Sequence, residues 1–380
     1  MNAPARGAAR GWSSPESLRL AGIAYIAGAP QFIGNVVPLV LGAIADRFHA
    51  TPLQLGTVNS CFTALSLLAT ATAPWWVSRL PAPAVTLVSA IGICAVFAFA
   101  GNAPGITAVY ALFALAGLFA GLMGGPSNAR IGQAPNPARW WSLSMSFQMI
   151  VAAVYSVAVT WWLQPRYGTL VALTAMALMF APCIVAAIVS RNELAAASAG
   201  VRQAGATHPA SALAAPGGGL APLFAAFLAS MLFALGGVAY WIFIERMARE
   251  AGVSAQFVGV AVGLSTVAAA ASAALAAALA RRLRLVLVLG TIVGVIGYAA
   301  MLRPGAMTVV LSACCFNAAW GMLVPGIQTV IRGADVTDRY FVAGPATIFV
   351  GAVAAGPIAG SVAQWHGYDA VMIMSTVLTL

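Results

Sequence analysis

Long apolar stretches that carry no charged side chain in their interiors make up most of this chain. Stretches of about 20 apolar residues are long enough to cross the hydrocarbon core of a bilayer as helices. Hydrophobic residues account for 62% of the chain and charged residues for 7%, whereas soluble domains carry about 25% charged residues. Because the stretches are continuously apolar and do not alternate, they favour helices over membrane β-strands. We therefore predict an all-α membrane protein.

Breaks rich in Pro, Gly and Arg divide the apolar sequence into twelve segments. We predict spans at 19–44, 53–78, 83–101, 105–128, 140–163, 167–190, 220–244, 256–280, 285–302, 306–331, 340–364 and 368–380. The last segment offers about 20 Å of helix against a hydrocarbon core of about 30 Å. Either the chain is truncated there or its last helix is short.

The distribution of arginine predicts the orientation of these spans. With the N-terminus in the cytoplasm, 13 of the 18 basic residues, all of them Arg, fall on the cytoplasmic side. This bias follows the positive-inside rule, so we predict that both termini are cytoplasmic.

The absence of Lys and the abundance of Ala are typical of a GC-rich bacterial genome. We therefore expect the bacterial cytoplasmic membrane, with lipid around a monomeric protein.

Four regions follow from this division of the chain. Residues 1–18 form a predicted cytoplasmic tail, and 19–190 a first bundle of six helices. Residues 191–219 contain a Gly-Gly-Gly run, which indicates a cytoplasmic linker. Residues 220–380 form a second bundle of six helices.

The two halves share short patterns at a nearly constant offset, which indicates an internal repeat. At an offset of 203 residues, Thr51–Gly56 matches Ser254–Gly259 and Arg79 matches Arg282. Asp46–Arg47 matches Glu245–Arg246 at an offset of 199 residues, and Gly121–Met123 matches Gly321–Leu323 at an offset of 200. Parallel repeats related by an axis along the membrane normal are typical of secondary transporters with two halves. We predict two pseudo-symmetric six-helix bundles.

Several other functions are disfavoured by the sequence. The net charge of +10 does not indicate nucleic-acid binding, because the arginines are scattered singly and form no contiguous basic groove. The five cysteines lie within apolar runs, without the spacing of a metal site or of a disulfide framework. No Ser/His/Asp set supports an enzyme. The phosphate-binding Gly-x-x-x-x-Gly-Lys motif requires the Lys that this chain lacks. We expect neither enzymatic activity nor a cofactor.

Three local patterns resemble the major facilitator superfamily. Pro74–Arg79, between spans two and three, is similar to the Gly-x-x-x-Asp-Arg motif of that family, although only Arg79 matches. Ala114–Arg130 has the glycine-rich character of its fourth helix, without the arginine often found there. Gly356–Gly360 followed by Trp365–Ala370 is similar to the approach to its last helix. Span five lacks the Gly-Pro pair of many antiporters in the family, which argues against proton-driven drug efflux.

This resemblance implies a substrate cavity between the two bundles, near the middle of the membrane. It implies that spans one, four, seven and ten line the cavity, assisted by spans two, five, eight and eleven. It also implies transport by alternating access, in which the two bundles rock against each other.

Spans one and five carry polar side chains at mid-depth that are candidates for substrate binding. Gln31 and Asn35 are four residues apart and share one helix face, with Tyr25 nearer the cytoplasm. Amides both donate and accept hydrogen bonds, which suits a hydroxyl, amide or carboxylate group. Gln148 and Tyr155 are seven residues apart and also share a face. The alternative for each is an interhelical hydrogen bond that only holds helices together.

Spans seven, ten and eleven supply further candidates. Asn317 and Trp320 lie three residues apart on span ten, where a Trp ring can stack on a flat solute. On span seven, Tyr240 is the better candidate for the cavity, while Trp241 is favoured as an anchor at the membrane interface. Thr347 is a lesser candidate, because Thr side chains in spans commonly bond to their own helix backbone.

Glu245 and Arg246, at the end of span seven, are the best ionisable candidates for a gate or a proton-coupling site. The alternative is a solvated pair in an outer loop, which contributes little energy.

Arg79 and Arg282 are candidates for a latch on the cytoplasmic face. They would meet helix C-termini or the carboxylates of Asp335 and Asp338 across the halves. Simple anchoring of the topology explains these arginines equally well.

The sequence places no ionisable side chain at mid-depth, and this limits the substrate. An inorganic cation requires carboxylates, and a multivalent anion requires an arginine clamp. We therefore predict a secondary or facilitative transporter of a small organic solute that is neutral, amphipathic or a monocarboxylate. One alternative is an importer of Cu(I) or another metal that uses the thioethers of Met145 and Met149, four residues apart. Another is a membrane assembly protein or receptor that does not transport.

Overall fold

A computed structural model describes residues 15–134, 136–207, 220–334 and 344–380. The first bundle contains α1 (Pro15–Phe48), α2 (Pro52–Ala71), α3 (Ala73–Trp76), α4 (Ala82–Ala100), α5 (Ile106–Gln133), α6 (Pro137–Val157), α7 (Gln164–Tyr167) and α8 (Val171–Val189). The π-helix Ala158–Leu163 joins α6 to α7, so these three elements form one span. The segment α9 (Arg191–Thr207) follows the first bundle.

The second bundle repeats this arrangement. It contains α10 (Leu220–Trp241), α11 (Ile244–Glu250), α12 (Ala255–Ala278), α13 (Leu283–Ala300), α14 (Ala306–Ala334), α15 (Gly344–His366) and α16 (Tyr368–Thr379). In the described part of the chain, 10 helices are long and apolar enough to cross a membrane. With α2 and the short α16 they make the twelve spans that the sequence predicts, in two bundles of six. The chain is an integral membrane protein.

The helix starts show how the repeat is encoded locally. The side chain of Thr51 accepts a hydrogen bond from the backbone of Gln54, whose own side chain accepts one from the backbone N–H of Thr51. At the matching position of the second bundle, the hydroxyl of Ser254 accepts from the N–H of Phe257. Such caps satisfy backbone groups that a helix start leaves unpaired. The same device therefore begins α2 and α12.

Glycines allow the helices within each bundle to approach closely. A Cβ atom on Gly117 or Gly121 of α5 would overlap the carbonyl of Phe62 or Ser66 on α2. In the second bundle, a Cβ atom on Gly321 of α14 would overlap Ser272 on α12. In lipid the hydrophobic effect does not drive helices together, so helix association depends on close packing, which small residues allow. The pairs α2–α5 and α12–α14 are therefore packed in corresponding ways.

The predicted linker begins as a helix packed on the first bundle. Leu194 and Ala197 of α9 are fully buried, and α9 lies against α5 and α4. Both Nε and Nη2 of Arg130 donate to Oε2 of Glu193, at 2.8 and 2.5 Å. The amide of Gln133 also donates to the carbonyl of Ala197. Residues 191–207 therefore extend the first bundle, and the rest of the predicted linker lies outside the described residues.

The helix ends fall at two faces of the molecule. We call the face at which α1 ends and α2 begins the Asp46 end. The opposite face, at which α3 ends and α4 begins, is the Arg79 end. The sequence predicts that the Arg79 end is cytoplasmic.

Candidate functional site

Two glycines bring α2 and α15 together across the bundles. A Cβ atom on Gly56 would overlap the carbonyl of Gly356, and a Cβ atom on Gly356 would overlap the carbonyl of Gly56. One turn away, the hydroxyl of Ser60 donates to the carbonyl of Val353 at 2.6 Å. Gly360 likewise leaves no room for a Cβ atom against Leu53. The two backbones are therefore in direct contact over about two turns of helix.

A second contact joins α1 to α10. The indole Nε1 of Trp241 donates to the backbone carbonyl of Gly34 at 2.8 Å. Trp241 is buried, and its ring stacks on Phe316 with centroids 5.1 Å apart. The interface-anchor role that the sequence favours for Trp241 is therefore wrong, because the ring is a contact between the bundles.

Glu245 continues this contact toward the Asp46 end. Its carboxylate lies against Gly42 of α1, where a Cβ atom would overlap it. The side chain is 5% exposed, and its Oε2 atom is buried without a hydrogen-bond partner in the structure. The solvated loop pair considered from the sequence is therefore wrong for Glu245. A carboxylate is buried between the bundles, although not at mid-depth.

Charged neighbours surround Glu245. Nη1 of Arg246 lies 3.0 Å from Oδ1 of Asp46, which belongs to the other bundle. Arg249 lies 3.6 Å from Asp46 and 3.9 Å from Glu245. Two arginines and two carboxylates from both bundles thus form one cluster, which we call the end cluster (Asp46, Glu245, Arg246 and Arg249).

A third contact joins α6 to α12. A Cβ atom on Gly259 would overlap the side chain of Thr160, and Gly263 faces Val157. Gly259 and Gly263 lie in the first turns of α12, and Thr160 lies in the π-helix near the end of its span. The α2–α15, α1–α10 and α6–α12 contacts between the bundles therefore all lie toward the Asp46 end. The structure is closed at that end.

The long helices α5 and α14 pack mainly within their own bundles. The long helix α5 lies on α2, α4, α1 and α9, and α14 lies on α12, α13 and α10.

One spot on α1 is open although the helix is otherwise buried. From Leu20 to Ala45, only Gln31 and Gly34 are exposed. Gly34 accepts a hydrogen bond from Trp241 of the other bundle, so this face of α1 looks toward the second bundle and not toward lipid. Gln31 lies at the midpoint of α1. The exposed spot therefore marks a gap between the bundles at mid-depth.

Aromatic rings line the second bundle beside this gap. Phe316 stacks on Trp241, and Trp320 follows one turn further toward the Arg79 end. Phe233 contacts Trp320 with ring centroids 5.3 Å apart. Trp320 is half-buried and lies at the midpoint of α14. We call Trp241, Phe316, Trp320 and Phe233 the aromatic row.

Two of the predicted amides adjoin residues of this region in the sequence, Asn35 next to Gly34 and Asn317 next to Phe316. Asn317, half-buried on α14, donates to the hydroxyl of Ser265 on α12 at 2.9 Å. Asn35 is also half-buried, and its Nδ2 atom is enclosed without a hydrogen-bond partner in the structure. Unpaired polar atoms in an apolar setting are costly, and the Asn35 amide carries such an unused donor in this conformation.

The three predicted tyrosines lie within their own bundles. The hydroxyl of Tyr25 donates to the carbonyl of Met179 at 2.8 Å, and that of Tyr155 to Ala172 at 2.5 Å. Tyr240 is fully buried and shares a 2.6 Å hydrogen bond with Ser312. Each hydroxyl is satisfied by its own bundle, so in this conformation the structure does not bring these rings to the gap.

Gln148 packs within the first bundle and contacts Met145, one of the two methionines of the proposed copper site. It is buried against Gly28, and its amide donates to the sulfur of Met145 at 3.5 Å. Met145 is 53% exposed on the surface of α6, and Met149 is half-buried. No contact among the described residues directs the two thioethers to the gap, so the copper hypothesis gains no support from the structure.

The remaining candidates lie near the Arg79 end. Arg79 and Arg282 are exposed there, one on each bundle, and Thr347 is half-buried in the first turn of α15. Asp335 and Asp338, the predicted partners of the arginines, lie outside the described residues.

Comparison with solved structures identifies the architecture. No protein-family model matches this sequence, and no curated protein matches it. A mutant of the peptide transporter POT in complex with alafosfalin superimposes with a TM-score of 0.72 at 13% identity, covering 97% of this chain and 95% of the other. The nucleoside transporter NupG gives 0.62 at 14%, covering 95% of each chain. The human organic anion transporter MFSD10 gives 0.58 at 14%, covering 96% of each chain.

The chain has the major facilitator superfamily fold. The prediction of an all-α protein with twelve spans in two bundles is therefore confirmed. In this fold the Gly34–Trp241 contact joins the first spans of the two bundles, and the Gly56–Gly356 contact joins the second span of one bundle to the fifth span of the other.

Proposed function

We propose that this protein is a secondary or facilitative transporter of a small organic solute, which binds at the open spot between the bundles. The observation that carries the proposal is the exposure of Gln31 and Gly34 midway along a buried helix, with Trp241 of the other bundle bonded to the carbonyl of Gly34. Solved structures of the same fold belong to nucleoside, peptide and organic anion transporters, which supports transport as the function.

The proposed binding residues divide into two groups. Gln31 and Asn35 offer amides from the first bundle, and Asn317 and Trp320 offer an amide and a ring from the second. Tyr25, Gln148, Tyr155, Tyr240 and Thr347 stay predictions with no place at the gap in this conformation. The sequence from Leu20 to Ala45 and that of α10 contain no charged residue, which favours a neutral or amphipathic solute over a multivalent ion.

We propose alternating access as the mechanism. The Asp46 end closes through two glycine contacts, the Trp241 hydrogen bond and the end cluster. For the solute to leave on that side, these contacts must separate while the Arg79 end closes. Arg79 and Arg282 are the proposed latch of that second closure. With the orientation that the arginine bias predicts, the closed Asp46 end faces away from the cytoplasm.

Glu245 is the proposed coupling residue. Its carboxylate is buried while the Asp46 end is closed, and it faces Arg249, Arg246 and Asp46. Separation of the bundles would expose Glu245 to water, because it lies against Gly42 of α1. A group that is buried in one state and hydrated in the other changes its affinity for protons between the states. Proton binding at Glu245 would therefore favour closure of the Asp46 end.

Uptake by reconstituted protein tests the proposal. Solutes that stabilise the purified protein in a metabolite screen are loaded into proteoliposomes, and exchange against labelled solute is measured. We expect Gln31→Ala to weaken exchange by about three- to tenfold, the effect of one lost hydrogen bond. Gln164→Ala, a change in the short helix α7 near the Asp46 end, is the matched control. A protein that folds but exchanges no solute would support the assembly or receptor alternative.

A further inference from the structure

We infer that the gap takes a neutral, planar, ring-bearing solute, with the ring stacked on Trp320 and its polar edge bound by Gln31. This inference deepens the proposed function and rests on it. It specifies the shape of the solute, which the exposure of Gln31 alone does not.

Trp320 is the member of the aromatic row that remains free to bind. Trp241 is buried with its N–H bonded to Gly34, and Phe316 and Phe233 are buried too. Trp320 is half-buried and is held by these two phenylalanines, with ring centroids 5.9 and 5.3 Å away. The ring therefore has a fixed support on one side and remains partly open on the other.

A glycine makes room for this arrangement. A Cβ atom on Gly237 of α10 would lie 3.1 Å from the ring of Phe316 and 3.4 Å from that of Trp320. The absence of a side chain at Gly237 lets both rings lie directly against α10. An indole that is supported in this way loses little conformational freedom when it stacks on a ligand.

Gln31 and Trp320 lie at matching depths. Gln31 lies one turn from Gly34 toward the Arg79 end, about 4.5 Å along α1. Trp320 lies one turn from Phe316 in the same direction, about 6 Å along α14. Since Gly34 and Phe316 both contact Trp241, the amide and the indole lie beyond the same closure. A solute stacked on Trp320 would therefore lie at the depth of the Gln31 amide.

The charges near the gap favour a neutral ring. No charged residue occurs between Ala306 and Ile331 of α14 or between Leu20 and Ala45 of α1. The end cluster lies on the other side of Trp241, toward the Asp46 end. A charged ring would lose its hydration here without meeting an opposite charge, whereas an amide satisfies a neutral polar edge.

Binding of a defined set of solutes to the purified full chain tests this inference. The planar probes are uracil and nicotinamide, and the non-planar neutral probes are glucose and inositol. We expect at least one planar probe to bind and the non-planar probes not to bind. Trp320→Leu should weaken that binding by about tenfold or more, because stacking on an aromatic side chain contributes about 1–3 kcal/mol per base. Trp320→Phe should keep most of the affinity.

Trp162→Leu is the matched control, because Trp162 is 59% exposed on the surface of the first bundle. Gel filtration and thermal unfolding show whether each variant folds. The inference is overturned if no planar probe binds, if glucose or inositol binds better, or if Trp320→Leu binds as the parent does. Transport of a non-planar solute would sink the inference and leave the proposed function intact. Failure to exchange any solute would sink the proposed function itself.

Discussion

Gly56 and Gly356 lie back to back across the two bundles, each with its carbonyl where a Cβ atom of the other would stand. This relationship ties the closed state to two positions that accept no larger residue. Because Gly56 and Gly356 belong to different bundles, their contact stabilises one conformation and is not part of the packing within either bundle.

The first prediction concerns this glycine pair. Gly356→Ala should destabilise the state closed at the Asp46 end by about 1–3 kcal/mol, the usual effect of overpacking a tight contact. The population should shift toward the state open at that end. The readout is the labelling rate of Thr160→Cys, which is buried at the separate α6–α12 contact, in a background without the native cysteines. We expect faster labelling in the Gly356→Ala protein.

Gly132→Ala is the control for this experiment, because a Cβ atom at Gly132 meets nothing within 4 Å. It should leave the labelling rate unchanged. Equal labelling in the Gly356→Ala and parent proteins would show that the α2–α15 contact does not hold the closed state.

The second prediction concerns Glu245. Glu245→Gln keeps the size of the side chain and removes its charge, so the Gln protein cannot bind the proton that favours closure. If Glu245 couples transport to protons, exchange in the parent should depend on pH and the Gln variant should show a flatter profile. The other titratable groups around this position are Asp46, Arg246, Arg249 and the hydroxyl of Tyr368 on α16.

Asp46→Asn separates the two carboxylates of the end cluster. It removes the partner of Arg246 while Glu245 stays in place, so the pH profile should keep its shape although the gate is weakened. Identical pH profiles for the parent and the Glu245→Gln protein would end the coupling role.

The third prediction concerns the attachment of α9. The Arg130 and Glu193 side chains are only 12% and 15% exposed, so removing one partner leaves the other charge poorly hydrated. Glu193→Ala should lower the unfolding free energy by about 3 kcal/mol, or release α9 from α5 at a similar cost. Limited proteolysis between residues 191 and 207 measures the release. An Arg130→Ala/Glu193→Ala double variant should recover part of the loss, and an unchanged proteolysis rate in Glu193→Ala would contradict the prediction.

The fold could be predicted from the sequence because hydropathy is a property of each segment alone. A charge-free stretch of about 20 residues specifies a membrane helix without reference to its neighbours. The twelve spans followed from that information, and the repeat from matched segments such as Thr51–Gly56 and Ser254–Gly259. The break of span two at Thr72 has a local signal in Pro74, which cannot donate the backbone hydrogen bond of a continuing helix. The helical start of the linker at Arg191 was not visible, because it depends on packing against α5 and α4.

The faces of the helices could not be predicted in the same way. Successive residues of a helix point about 100° apart, so Tyr240 and Trp241 look in different directions. In a soluble protein a polar face would reveal the rotation, but a membrane helix is apolar all round. The rotation of α10 is set by packing, which turns Tyr240 toward Ser312 and Trp241 toward Gly34.

The same limit explains the burial of Glu245. The position of Glu245 after an apolar run predicts a helix end. It gives no information that Gly42 of α1 lies opposite the carboxylate. Only the absence of a side chain on α1 makes room for the carboxylate between the bundles. The pairing of Asp46–Arg47 with Glu245–Arg246 in the repeat was the available signal, because repeats place equivalent ends side by side.

A reversible cross-link between residues 46 and 246 tests the central claim most directly. Nη1 of Arg246 and Oδ1 of Asp46 are 3.0 Å apart across the bundles, so Asp46→Cys with Arg246→Cys, in a background without the native cysteines, should be bridged by a short thiol cross-linker. The control pair, Gln133→Cys with Ala197→Cys, joins α5 and α9 on the same side of the gap. We predict that linking residues 46 and 246 stops solute exchange, that reduction restores it, and that linking the control pair leaves exchange unchanged. Full exchange with residues 46 and 246 linked would contradict transport by opening of this end.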